Sequence, residues 1–248
     1  MSVPIEALIA AALIVALAYA VFGLTGFGAS IVAMPLLVTV FPLRFAVPMM
    51  LLFDFTAGLS IALRNLRRLQ RAELLRLLPT MAIGMALGFG ALVSAPERLL
   101  LGVLGAFVLS YAAWNLLARV CTDTISPRWA WPAGAIGGVF SALFGTGGPI
   151  YAVYLTRRIA DKSDLRATVG TVILCSAIVR LFMFTTGGLY AQDDLLLTAA
   201  LLLPFALGGL WLGSHAHHRL PVHRVVQAVW GLLILGGLGL LARSVAGA

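Results

Sequence analysis

Two short glycine-rich runs are the first places where this sequence could do chemistry. One reads Gly23-Leu-Thr-Gly26-Phe-Gly28 and is followed by Ala29 and Ser30; the other reads Gly145-Thr146-Gly147-Gly148-Pro149. Each lies inside a long uncharged stretch, so each breaks an apolar helix where the surroundings offer no water. A helix that restarts after such a break exposes N–H groups with no partner and the positive end of its dipole. Gly28, Ala29 and Ser30 would present such groups, as would Gly147, Gly148 and Ile150; Pro149 suits a first turn because its missing N–H costs nothing there. Glycine lets an oxyanion approach the backbone, and Thr25, Ser30 and Thr146 add hydroxyl donors. The chemistry is therefore binding of a small anion. The competing reading is that glycines only allow close helix packing, as the GxxxG spacing of Gly84 and Gly88 does.

Two formal charges lie well inside apolar stretches, Asp54 and Arg180. Either costs a few kcal/mol to bury in a bilayer, so each is expected to face the protein interior or a watery cavity. Arg180 is suited to hold an oxyanion through its fork of donors, and Asp54 to carry a coupling proton. The alternatives are that they neutralise each other as a structural ion pair, or that Arg180 snorkels to an interface. The cluster His215, His217, His218 with nearby His223 sits beside Arg219 and Arg224 without a carboxylate or cysteine, and reads as a solvated loop rather than a metal site. Cys121 and Cys175 read as small apolar packing residues. No HExxH, GxSxG or P-loop pattern occurs, and no paired carboxylates lie within a span, so neither an enzyme nor a cofactor-binding protein is expected.

The elements that must position these groups follow from composition. Of 248 residues, 61% are hydrophobic and 10% charged, against about a quarter charged in a soluble chain. That excludes a water-soluble fold and a nucleic-acid binder, despite a net charge of +8, because the basic residues fall in gaps between apolar runs, where they orient helices. The lipid bilayer is thus an obligatory partner. Uncharged runs at 77–96, 99–118, 195–214 and 225–242 fit single spans of roughly 20 residues. The run 129–156, about 42 Å as a helix, is too long for one span and too short for two. The run 7–43 has a similar problem, and both contain a glycine break. Trp129, Trp131 and Trp211 lie near span ends, as an interfacial belt requires. The N-terminal Ala18-Tyr19-Ala20 triplet reads as part of an uncleaved membrane segment, since the apolar run continues past it.

Sliding the chain by 119 residues sets Gly26 on Gly145, Gly28 on Gly147 and Ile31 on Ile150. The expected architecture is a single all-α transmembrane domain over 1–248, about eight segments in two repeats, about 5–118 and about 129–242. Each repeat opens with a Gly-broken helix or re-entrant hairpin. The basic loops 64–71 and 157–166 occupy different places in the two copies, yet both should be cytoplasmic. Three full crossings plus one hairpin that returns to its own side satisfies both, leaves Asp193-Asp194 outside, and makes the repeat inverted. Eight simple spans in parallel arrangement is the alternative.

The run Phe22–Ser30 leading to Met34-Pro35-Leu-Leu, with its second copy Ser141-Ala-Leu-Phe-Gly-Thr-Gly-Gly-Pro149, resembles the repeated motif of the TauE/SafE sulfite exporter family. The resemblance covers nearly the whole chain; one departure is Phe27-Gly28-Ala29, where members often carry more glycines. It implies a multi-pass carrier of the bacterial inner membrane for a small sulfur-containing oxyanion, sulfite or an organosulfonate, with proton coupling as an option. It places the site at Gly26, Gly28, Gly145, Gly147 and Gly148. A rival reading is a membrane subunit or assembly factor that moves nothing and docks a partner through the arginine loops. A homo-oligomer is compatible with either.

Overall fold

The structure is a computed structural model, and it describes residues 4–25, 28–65, 68–117, 124–216 and 222–246. Among them are ten α-helices and no strand: α1 (Ile5–Thr25), α2 (Ala29–Leu37), α3 (Leu43–Asn65), α4 (Arg71–Ser94), α5 (Glu97–Leu117), α6 (Ala130–Phe144), α7 (Gly147–Thr156), α8 (Lys162–Thr186), α9 (Leu195–Ala216) and α10 (Val222–Ala246). Among the described residues, five helices are long and apolar enough to cross a membrane: those over Ile5–Leu24, Arg71–Ser94, Glu97–Leu116, Lys162–Thr186 and Leu195–His215. Leu87, Phe182 and Leu235 are all at least two-thirds exposed. Such apolar surface spread over several helices suits contact with lipid rather than water.

Both long uncharged stretches are broken where glycine predicts. The first divides into α1 and α2, the second into α6 and α7, and the second helix of each pair has only 9 or 10 residues. At 1.5 Å per residue these short helices reach about 15 Å, half a bilayer. The second pair folds back on itself. Ser141 Oγ and Tyr151 Oη lie 3.2 Å apart across ten residues that would span about 15 Å in one continuous helix. Gly137 makes this return possible: a Cβ there would collide with the Tyr151 ring. The reversal starts at Gly145, whose φ of 73° lies in the left-handed region that side chains disfavour.

With no hydrophobic drive between helices in lipid, close backbone approach at small residues supplies the packing. Helices α4 and α6 run parallel, with Gly84 facing Ala135 and Gly88 facing Val139; a Cβ at Gly84 would strike the Ala135 carbonyl. The GxxxG pair thus serves helix contact, as its spacing suggests. Helices α1 and α9 also run parallel, with Gly209 against Ala16 and Gly213 against Ala20. The other two major pairs are antiparallel. In α3 and α8, Gly58 faces Leu174 and Asp54 faces Arg180; in α5 and α10, Gly102 faces Ser244 and Gly237 faces Leu109.

Polar contacts tie the two ends. At one end Gln70 donates from Nε2 to Asp164 at 3.0 Å, and Arg68 stands 3.9 Å from Asp161. There the buried Glu73 carboxylate accepts from Tyr154 Oη at 2.5 Å, Arg158 Nη2 at 2.9 Å and Arg76 Nη1 at 2.7 Å, which fastens the exit of α7 to the start of α4. Asp161 caps α8 by accepting the backbone N–H groups of Ser163 and Asp164. Those donors, that of Asp164 foremost, hold its carboxyl below the usual range. At the opposite end Gln192 donates to the Arg44 carbonyl at 3.0 Å and Arg44 donates to the Ala95 carbonyl at 2.8 Å. The described parts of both basic segments therefore share one end, and Asp193-Asp194 lies at the other.

Candidate functional site

At the centre of the molecule, α3 supplies Asp54 and α8 supplies Arg180, which is 2% exposed. Antiparallel packing sets them side by side, with Arg180 Nη2 3.6 Å from Asp54 Oδ2. The carboxylate is fully engaged: Tyr19 Oη donates to Oδ1 at 2.8 Å and Ser30 Oγ donates to Oδ2 at 2.9 Å. Tyr19 comes from α1 and Ser30 from the first turn of α2, so Asp54 binds the two arms of the first break together.

The guanidinium reaches the second break. Arg180 Nη1 donates to the Ser141 carbonyl at 3.1 Å, near the end of α6. An added Cβ at Gly145 would stand 2.9 Å from Ser30 Oγ and 3.2 Å from Arg180 Nη1. The two broken segments thus meet, with Ser30 of the first against Gly145 of the second; Arg180 touches the second directly and is tied to the first through Asp54. Among the described residues, two buried groups of this cluster have no partner, Arg180 Nε and Thr146 Oγ1. A buried donor without an acceptor loses its hydration and gains nothing in return, so such groups call for an explanation. Neither Gly28 nor Thr146 caps its short helix with a side chain. The centre is therefore a buried, donor-rich cluster whose fixed anion, Asp54, is already shared.

The structure divides the residues expected from sequence. Ser30, Asp54, Gly145, Thr146 and Arg180 come together. Gly28 takes the left-handed conformation directly before α2, with φ of 95°. Gly147 and Gly148 pack instead: a Cβ at Gly147 would collide with Ser141 Oγ, and one at Gly148 would press on Ile173 Cδ1 at 3.3 Å. Gly26 lies outside the described residues, as does the side chain of Thr25. Sequence reasoning missed Tyr19, Ser141 and Tyr151, all buried. The available signal was a phenol or hydroxyl inside an otherwise apolar helix. His215 Nδ1 lies 2.9 Å from the Trp211 carbonyl; His217, His218 and Cys121 are outside the described residues, and Cys175 is half-buried and free.

Comparison with known proteins gives two results. The profile of the family described as "Sulfite exporter TauE/SafE" matches residues 11–240. A protein of Comamonas testosteroni named "Probable inner membrane transporter protein TsaS" is 26% identical over 194 residues, which cover 77% of this chain and 81% of that protein. No solved structure matches the chain.

Proposed function

We propose, from the premise that the chain belongs to the TauE/SafE sulfite exporter family, that it moves a small sulfur-containing oxyanion across the bacterial inner membrane by a proton-coupled cycle. That the chain is a membrane transporter follows from the family; the substrate class and the coupling are our reading. One observation carries it. The buried Arg180 holds the second helix break directly and the first through Asp54, while its Nε, and Thr146 Oγ1 in the second break, have no partner among the described residues. An oxyanion of sulfite or sulfonate type supplies the acceptors these groups lack. Charge-assisted bonds of this kind are the strong ones in a low dielectric.

The coupling follows from charge balance. Arg180 and Asp54 together are neutral, so an arriving anion leaves a net negative charge in a desolvated place. A proton on Asp54 cancels it, weakens the hold of Asp54 on Arg180 and releases the guanidinium to the substrate. Anion and proton then move together. The two-copy reading gives the cycle its geometry. If α1–α5 and α6–α10 are inverted copies, exchanging them carries the α4–α6 contact into α9–α1 and each antiparallel pair, α3–α8 and α5–α10, into itself. All four major contacts obey this, which supports repeats of about 5–118 and 129–242 about a shared midplane site. On this reading, two helical hairpins and six further crossings bring both basic segments to one side, the cytoplasm by their charge.

The test is flux of labelled sulfite, sulfate and a short alkanesulfonate in proteoliposomes, with and without a pH gradient. Saturable flux of one anion that follows the gradient, and loss of that dependence in Asp54→Asn, is the expected result. Flux indifferent to the gradient refutes the coupling. No flux of any of the three from folded protein refutes the substrate class.

A further inference from the structure

On the face formed by α5, α6 and α7, lined by neither Asp54 nor Arg180, lies an open cavity of about 530 Å³. Its composition changes with depth. At the end shared by the basic segments it is edged by Trp114, Trp129 and Arg157; deeper it is lined by Ile136, Pro149 and Val153. Arg157 closes α7, and the eight residues back to Pro149 make the cavity roughly 12 Å deep. Trp114 and Trp129 are more than half exposed, as aromatic residues are at headgroup level.

Two observations say what fills it. Arg157 and Arg158 are neighbours with opposite fates: Arg158 is committed to Glu73 and the Ile125 carbonyl, whereas Arg157 has no side-chain hydrogen bond or ion pair among the described residues. A cation thus stands at the mouth of an otherwise apolar slot. The slot also exists for a reason. In the first half α2 is covered by α10, but α5, the counterpart of α10, does not pack closely on α7, and the space between them is the cavity.

We propose that this cavity is a binding site for one anionic phospholipid, with its phosphate on Arg157 and an acyl chain along Ile136, Val153 and Pro149. The inference needs only a membrane-embedded chain, and it stands or falls separately from the choice of transported anion. The lipid covers the outer face of α7, the helix that follows Gly145 and Thr146 of the inner site. Basic slots between helices near the cytoplasmic surface are suited to acidic headgroups.

The experiment is native mass spectrometry of the full chain, delipidated and titrated with phosphatidylglycerol, phosphatidylcholine or inorganic phosphate. Phosphatidylglycerol should be retained at one copy, at least about tenfold more strongly than phosphatidylcholine, given one charged contact. Arg157→Gln should remove that preference, Arg157→Lys should restore most of it, and Ile136→Trp should block retention by filling the slot. Size-exclusion profiles and anion flux, which does not use Arg157, report that each variant is folded. Equal retention in Arg157→Gln and the unaltered chain overturns the proposal, as does equal retention of the two lipids. If inorganic phosphate displaces the bound lipid's headgroup contact while Ile136→Trp has no effect, Arg157 is a plain anion site and the lipid assignment falls.

Discussion

Removing Arg180 should separate two roles that the structure superimposes, partner of Asp54 and holder of the anion. In Arg180→Gln the carboxylate keeps Tyr19 and Ser30 but loses its cation at 3.6 Å. With an effective dielectric constant near 20, two unit charges at that distance attract by about 4.6 kcal/mol. Breaking a buried pair from one side costs roughly 3–5 kcal/mol, and protonation of Asp54 recovers part of it. Asp54→Asn strands the arginine instead, which cannot discharge itself, so this variant should lose the full amount. The double variant Asp54→Asn/Arg180→Gln has no orphaned charge and should regain most of the lost stability. Binding behaves differently. A charged hydrogen bond contributes about 1.5–3 kcal/mol, so Arg180→Gln should weaken anion affinity by roughly 10- to 150-fold, and the double variant should stay weak. The assay pairs apparent Tm in detergent with the concentration dependence of anion flux in proteoliposomes. A double variant that regains both stability and affinity would refute the reasoning, because Arg180 would then be structural alone.

Three further predictions bear on the frame around the site. In α4, Gly84→Ala drives a methyl into the Ala135 carbonyl and should destabilise by about 1–3 kcal/mol, whereas Gly90→Ala meets open space and should be neutral or better; thermal unfolding of the two distinguishes them. Asp161 is held below its ordinary 3.8 by the α8 N–H groups, so its capping contribution is present above that value and is lost only as pH falls through the lower folded value. Hydrogen exchange at Ser163 and Asp164 should therefore stay protected at pH 4 and open further down, and Asp161→Asn should abolish the pH dependence. In a background lacking Cys121 and Cys175, an impermeant thiol reagent should label Lys162→Cys from the cytoplasmic side only and Asp193→Cys from the outside only. Labelling of both from one side would sink the inverted arrangement.

Composition and glycine placement were enough to read the solvent and the elements. With 61% hydrophobic residues and few charges, only helices that satisfy their own backbone survive in lipid, and Gly145, with no Cβ to resist a left-handed turn, marks one of the points where they stop. Composition and spacing also singled out Asp54, Arg180, Ser30, Gly145 and Thr146, because a charge or a hydroxyl in an apolar run is visible without coordinates. Who touches whom came only from the packing of the helices. Asp54 and Arg180 are 126 residues apart, and nothing local says that α3 and α8 run antiparallel and place them at one level. The roles of Tyr19 and Ser141 are likewise set by neighbours from other helices. Gly145, Gly147 and Gly148 look alike in sequence, yet one faces the guanidinium and two fill helix contacts. Which glycine faces what depends on rotation about the helix axis and on the packing of other helices, and no local pattern carries that.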